Sequence, residues 1–326
     1  MNQHRSSKDK VKLSVIVLFY YGERWIQECI DSLEKQSLPR SAYEIILVDN
    51  GGSTPSVANY DGRPHTKILR ISKNLGFAGG NNRALESTEG EFILLMNQDA
   101  IVHFECLEEL IAAFESCSNA GVISANMLMI YSGDQPNRHD SVAQTVGYYK
   151  LTRFGYAFYS IKNIDKDMIP VDFVSGNAMC FRRCMLTDVG NYLFDERLKS
   201  YAEDLDLSIR LKKTKWSMYI RTKAIVYHYR DEAFSGNPLK QLKKLVHVSS
   251  NRLCVYYNNL PLAKFMIKLP ALLCGIPFKV AQPEGASTIQ LVKFTSALIL
   301  TPFIFVYFCL RLSQIIKTSK AKSDQP

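Results

Sequence analysis

The chain has 326 residues, 47% of them hydrophobic, which excludes a disordered protein and leaves room for one large α/β domain with an appendage. Its net charge of +9 is unevenly divided: residues 1–209 carry 21 basic and 27 acidic side chains, net −6, and residues 210–326 carry 19 and 4, net +15. Long apolar runs accompany that basic half and no nucleic-acid recognition motif does, so the expected partner is an anionic membrane surface and not nucleic acid.

Residues 1–10 are polar and charged, without the apolar core of a targeting signal, and are expected to be a frayed start. The eight cysteines contain no C-x-x-C pair and follow no secretory signal, so reduced, mostly buried thiols are expected in place of disulfides or a zinc cluster.

Leu13 to Phe19 reads as a buried strand, followed by a helix whose apolar positions Trp25, Ile26, Cys29, Ile30 and Leu33 recur at three and four. Glu44 to Asp49 is a second strand ending in the turn-rich Asp49-Asn-Gly-Gly-Ser53, and Thr66 to Ile71 is a third. Asn74-Leu-Gly-Phe-Ala-Gly-Gly-Asn-Asn82 reads as a glycine-rich loop before a helix from Asn82 to Ser87. Its glycines would let the backbone approach a ligand, and amides at a helix start favour a phosphate, although a plain tight connection has the same look.

Glu91-Phe-Ile-Leu-Leu-Met-Asn-Gln-Asp99 is the central stretch: an apolar run of a strand buried on both faces stops at three polar residues. In open α/β sheets ligands bind beyond such strand ends, so Asp99 either meets a divalent cation or caps a following helix. A helix near Glu105 to Cys117 and a strand near Gly121 to Ala125 complete this half, and the β-α-β-β-α-β order predicts a doubly wound, mostly parallel sheet. No regular structure is predicted for the polar, aromatic-rich stretch from Ser132 to Lys166.

Val171 to Arg182 returns to the sheet, interrupted by Ser175-Gly176-Asn177. Glu203, Asp204 and Asp206 fall at the start of an amphipathic helix, beside positive N-terminal amides. Helix capping is the plain reading for Asp206; the adjacent Glu203 and Asp204 repel and suggest another purpose. Trp216 to Ile220 and Ala224 to Tyr229 read as two closing strands, and on spacing alone His228 is a packed core residue.

Taken in order, Leu13 to Phe19, Asp49-Asn-Gly, Asn74 to Asn82, Leu94-Leu-Met-Asn-Gln-Asp99, Val174-Ser-Gly176, Phe194-Asp-Glu-Arg197, Glu203-Asp-Leu-Asp-Leu207 and Ala224-Ile-Val-Tyr-His228 resemble the family 2 glycosyltransferases of GT-A fold, most closely the bacterial rhamnosyltransferase-like branch. The resemblance covers roughly Lys12 to Gly236. It implies a Rossmann-like, mostly parallel sheet flanked by helices, a nucleoside-diphosphate sugar donor, Mg²⁺ or Mn²⁺, and a saccharide or lipid-linked oligosaccharide acceptor in cell-surface polysaccharide synthesis. It also implies that Asp204 is the catalytic base. Asp49, Asn74, Gly76, Phe77, Gly79, Gly80, Asn81, Asn97 and Gln98 would border the donor. Ser175, Gly176, Glu203, Asp206 and Trp216 would lie on the acceptor side, and Asp99 and His228 would serve the metal. The motif Asn97-Gln98-Asp99 offers a single carboxylate, so the cation would also depend on diphosphate and water. A sugar nucleotidyltransferase and a catalytically silent membrane-tethered factor are the alternatives.

The expected organisation is a flexible start at 1–10, a GT-A domain at 11–237 and a basic, apolar helical region at 238–326. Leu291 to Leu310 has one charge, Lys293, and the length of a membrane span, but contains Pro302; Phe265 to Val280 is broken by Pro270, Gly275 and Pro277. A re-entrant hairpin or in-plane helices at the cytoplasmic face of the plasma membrane is the expectation.

Overall fold

The computed structural model describes residues 11–21, 23–52, 55–130, 145–152, 154–229, 238–280 and 297–312. The chain forms two compact units, Met1–Lys150 with Tyr159–Asp231, and Leu151–Phe158 with Glu232–Pro326.

The first unit is built on one sheet. Strands β1 (Leu13–Phe19), β2 (Tyr43–Asn50), β3 (Thr66–Ile71) and β4 (Phe92–Asn97) run parallel in the order β3-β2-β1-β4. Beyond β4 comes β10 (Met179–Arg182), antiparallel to it, then β6 (Ala120–Ile130), β11 (Ser217–Tyr229) and the short β5 (Ala100–Val102), while β9 (Met168–Pro170) pairs with β11.

Both faces of the sheet are covered, and this is why its strands are almost continuously apolar. Leu13, Val15, Val17 and Phe19 of β1 join helices α1 (Glu23–Glu34) and α3 (Cys106–Ser116) on one face. On the other, Ile16 meets Ala78 and Ala84 of α2 (Gly76–Leu85) and Leu207 and Leu211 of α4 (Glu203–Leu211).

Three local expectations are corrected. Helix α2 begins at Gly76, inside the stretch read as a loop, and ends at Leu85. Its small residues are packing positions: a Cβ on Gly80 would fall 2.6 Å from Leu18 of β1. The predicted irregular stretch contains β7 (Thr145–Leu151) and β8 (Ala157–Asn163), a two-stranded ribbon whose small buried face leaves no clean periodicity. Residues 131–144 and 153 of that stretch lie outside the described residues. The two closing strands are one 13-residue strand with a register shift between Arg221 and Ile225. The polar residues that looked like a break form a bulge, where Thr222 Oγ1 donates to the Lys166 carbonyl at 2.8 Å and Arg221 pairs with Glu109 at 2.6 Å.

In the second unit, α5 (Pro238–Asn259) carries Arg252, 2% exposed, whose guanidinium donates to the carbonyls of Phe154 and Leu272 and lies 3.5 Å from the Tyr156 ring. Burial lowers its pKa to about 10. Helix α6 (Leu262–Val280) and helical residues 297–312 complete the unit. Among the described residues no helix is long and apolar enough to cross a membrane; residues 291–296 of the candidate span lie outside them. All eight cysteines are free, but only Cys29, Cys106, Cys180 and Cys254 are buried, while Cys184, Cys274 and Cys309 are exposed.

Candidate active site

The carboxyl ends of β1, β2 and β4 and the far end of β11 define one edge of the sheet. Asp99 lies in the two-residue turn between β4 and β5, so no helix follows for it to cap. Because β5 pairs antiparallel with β11, Ala100 is opposite His228 and the Tyr229 amide donates to the Asp99 carbonyl at 2.9 Å. That register brings residues 129 positions apart together: His228 Nε2 is 3.3 Å from Asp99 Oδ1. Asp99 Oδ1 and both His228 ring nitrogens are buried without a hydrogen-bond partner. Buried polar atoms normally have partners, so this pair suits a cation. Their spacing is close to the roughly 3.0 Å between neighbouring corners of an octahedron with Mg²⁺-like bonds. Among the described residues no set of three or more His, Cys, Asp or Glu is placed to hold a metal, so the protein would supply two ligands.

The neighbouring side chains brace this edge. Gln98 Oε1 accepts from the Tyr20 amide at 3.0 Å, and the Asn97 amide donates to Asn177 Oδ1 at 3.1 Å. Asn177 is one of three structural residues to which sequence reading gave no role; its position inside an apolar segment was the available signal. Asp49, 4% exposed, ends β2 with Oδ1 accepting from the Gly52 amide at 3.0 Å. Next to it Asn50, the second such residue, donates to the Gly76 carbonyl at 3.0 Å and accepts from the Leu75 amide at 3.1 Å.

The start of α2 is not an open anion cradle. The Gly76 amide donates to Asn74 Oδ1 at 2.7 Å, that of Phe77 to Ser200 Oγ at 3.0 Å and that of Ala78 to the Lys199 carbonyl at 2.8 Å. Ser200 is the third residue sequence reading missed. Gly79, Gly80 and Asn81 are buried in the packing of the helix, whereas Asn74, Gly76 and Phe77 keep some exposure. The expected phosphate contact at these amides is therefore replaced by a contact with the chain itself.

That contact sets up α4. Lys199, Tyr201 and Ala202 have φ of 60°, 72° and 70°, left-handed values that cost L-residues on the order of 1–3 kcal/mol each. The bonds from α2 hold this strained strap, and the strap starts α4 beside Gly176. There Asp204 accepts from the Leu205 amide at 2.8 Å and the Gly176 amide at 3.3 Å. Burial pushes the Asp204 carboxyl up to about 6, against the lowering effect of those amides. Glu203 is 6% exposed, with Oε2 lacking a hydrogen-bond partner. Burial first, and then the charge of Asp204, hold it well above the usual carboxylate range. Ionising both of these adjacent carboxyls is therefore disfavoured.

Two expected acceptor-side residues lie elsewhere in role or place. Asp206 pairs with Arg210 at 2.7 Å, and Arg210 also donates to the carbonyls of Val189, Tyr192 and Leu193, so the pair fixes a loop. Trp216 sits at the opposite end of the sheet, bonded through Nε1 to Asp188 at 2.7 Å. The adjacent Ser217 pairs with Ala120, seven residues before Met127, the contact of Asn177, or roughly 23 Å along the strand. Ser175 lines a cleft with Met127, Tyr149 and Phe173, near Gly176.

Gly76 tests the coupling between α2 and α4. Its φ is +75°, and a Cβ there would come 2.5 Å from the Lys199 carbonyl oxygen. Gly76→Ala is expected to cost about 2–4 kcal/mol and to lower kcat. Gly62→Ala, at φ +74° with open space around it, is the control and should cost about 1 kcal/mol with kcat unchanged. Equal melting temperatures and rates for the two variants would remove the coupling.

A mostly parallel, doubly wound sheet with an acid at its carboxyl edge and a second acid at the facing helix start is the GT-A arrangement. The model for "Glycosyl transferase family 2" matches residues 14–190, and the chain belongs to that family. It is similar to the poly(ribitol-phosphate) beta-N-acetylglucosaminyltransferase TarS of Staphylococcus aureus, 33% identical over 121 residues, 36% of this chain and 21% of TarS. The chain therefore spans about a fifth of that relative. An N-acetylglucosaminyl-diphospho-decaprenol L-rhamnosyltransferase of Mycobacterium tuberculosis is 23% identical over 205 residues, 56% of this chain and 66% of its own. Among solved structures, residues 1–349 of TarS with UDP-GlcNAc superpose with a TM-score of 0.54 at 20% identity, covering 89% of this chain and 81% of that one. GalNAc-T7 with UDP, GalNAc and Mn²⁺ superposes at 0.63 and 12% identity, covering 94% of this chain and 60% of that one. At these identities the superpositions establish the shared fold.

Proposed function

We propose that this chain is an inverting glycosyltransferase that moves a rhamnose-like or other hexose from a nucleoside-diphosphate sugar to a hydroxyl of a saccharide acceptor, in cell-surface polysaccharide synthesis. The carrying observation is the Asp99–His228 pair at the strand edge of a family 2 fold, in which Asp99 Oδ1 and both imidazole nitrogens are buried without hydrogen-bond partners, with Asp204 at a separate helix start. The names of the relatives support the substrate classes: UDP-GlcNAc is bound to TarS, and the mycobacterial protein is named for a decaprenol-linked acceptor.

In this reading Asp49, Asn74, Gly76, Phe77, Asn97 and Gln98 border the donor, while Ser175 and Gly176 face the acceptor. Asp204 Oδ accepts the proton of the acceptor hydroxyl as that oxygen bonds to the anomeric carbon. The bond from the anomeric carbon to the diphosphate breaks on the opposite side, and the nucleoside diphosphate leaves. With Asp204 acting as base and not as nucleophile, the course is a single displacement with inversion. A carboxyl near 6 suits this work, being ionised at neutral pH yet a better proton acceptor than an ordinary aspartate. Mg²⁺ or Mn²⁺, held by Asp99 and His228, would offset charge growing on the departing diphosphate. Asn177 and Gln98 keep that edge in register.

The test is a panel of nucleotide sugars offered with saccharide and lipid-linked acceptors, with and without divalent cation. Acceptor-dependent release of a nucleoside diphosphate from one donor is expected; equal release in excess chelator would contradict the metal assignment.

A further inference from the structure

The second unit contains two helices whose outward faces are apolar. In α6 the core face is Phe265, Leu269, Leu272 and Ile276, spaced at three and four. The opposite face carries Leu262, Met266 and Ile267, which are 64%, 54% and 81% exposed. Residues 297–312 repeat the pattern. Ala297, Ile304 and Phe308 are buried, while Leu298, Ile299, Phe303, Val306 and Leu310 are each more than half exposed. A helix that is apolar all round belongs in a core or in lipid.

The two inner faces meet on α5, where Tyr257 lies 5.5 Å from Phe265 and 6.4 Å from Phe308, ring centre to ring centre. Both outward faces consequently turn away from α5. A basic side chain accompanies them: Lys264 is exposed within the α6 patch. From residue 232 onward the chain has 12 Lys and Arg against 3 Asp and Glu.

We propose that α6 and helical residues 297–312 insert these faces, in the plane of the membrane, into the anionic cytoplasmic leaflet. Their apolar side chains would enter the acyl boundary while Lys264 and its basic neighbours meet the headgroups. Prolines 270, 277 and 302 within these helices matter less in this arrangement than in a span, since a helix lying at the interface keeps polar partners for freed carbonyls. Charge complementarity selects anionic lipid over a second copy of the chain, whose basic unit would repel its twin.

The experiment is co-sedimentation of the full chain with phosphatidylcholine vesicles, with and without phosphatidylglycerol, at low and high salt. The chain is expected to sediment with the anionic vesicles and to stay bound when salt is raised. Ile267→Glu and Phe303→Glu, both on exposed faces and so compatible with folding, should each weaken partition on the order of tenfold, with unchanged melting curves. As a second readout, Phe303→Trp should shift its emission to the blue on vesicle addition. A chain that stays in the supernatant, that salt alone releases, or whose glutamate variants bind equally well would overturn the proposal. A lipid-free dimer abolished by the glutamate variants would assign the faces to a second copy and overturn it as well. Because no donor is needed, the outcome is independent of the transfer reading.

Discussion

Asp204→Asn is expected to lower kcat by about 10²–10⁴-fold while donor binding, measured directly, is retained. The amide preserves the shape of the carboxylate, and its one oxygen can keep the shorter bond from the Leu205 amide while the Gly176 amide loses its acceptor, so the start of α4 should persist. Proton acceptance is what is lost. The wild-type rate should rise with pH through about 6, because the carboxylate is the active form and burial has raised its pKa to that value. This limb should vanish in the variant. Glu203→Gln should have a much smaller effect on kcat, since Glu203 is buried and the carboxyl set beside Gly176 is that of Asp204. A drop in rate for Glu203→Gln comparable to that for Asp204→Asn would move the base to Glu203.

Asp99→Ala is expected to remove the stimulation of turnover by Mg²⁺ or Mn²⁺ and to reduce kcat about 10²–10³-fold, the scale seen when one source of charge stabilisation at a leaving oxygen is removed. With no set of three ligands among the described residues, His228 alone should hold the cation weakly. His228→Ala should accordingly weaken cation dependence but keep part of it. The readout is the cation concentration for half-maximal rate, compared across the three proteins. Unchanged cation dependence in Asp99→Ala would place the metal, or the need for one, elsewhere.

The fold was legible wherever burial on both faces wrote itself into composition. Leu13–Phe19 is a strand at the residues the sequence reading assigned, because alternation is unnecessary in a covered parallel sheet and turn-formers bound the run. Thr66–Ile71 also matches, as an edge strand without a fully buried residue. Glycine was the misleading signal. Gly79 and Gly80 suggested a loop, but both are buried in α2, and Gly80 is its thin point against Leu18 of β1 and Asn50 of β2, a tertiary requirement that no local pattern displays. The β7–β8 ribbon was missed because it buries too little to fix a period, and β11 was divided because its bulge places polar Arg221, Thr222 and Lys223 in mid-strand.

The site was legible unevenly for a related reason. Asp99 and Asp204 stand at element ends that the sequence predicts. The meeting of Asp99 with His228, by contrast, depends on β5 pairing with β11, a long-range register that spacing cannot reveal; the family resemblance suggested it. Trp216 was placed with the acceptor by the resemblance, yet α4 carries the chain away from Asp204 and returns it at the far end of the sheet. Asp206 shares a helix turn with Asp204 but faces Arg210, one turn on, and its charge is spent on structure.

The most direct measurement of the central claim is proton NMR of the reaction on the donor selected by the nucleotide-sugar panel, following the anomeric signal and the phosphorus-containing product together. The account predicts release of the nucleoside diphosphate and a product whose anomeric configuration is opposite to that of the donor, at a rate that collapses in Asp204→Asn. Retention of configuration, or transfer of a nucleoside monophosphate with release of pyrophosphate, would contradict it.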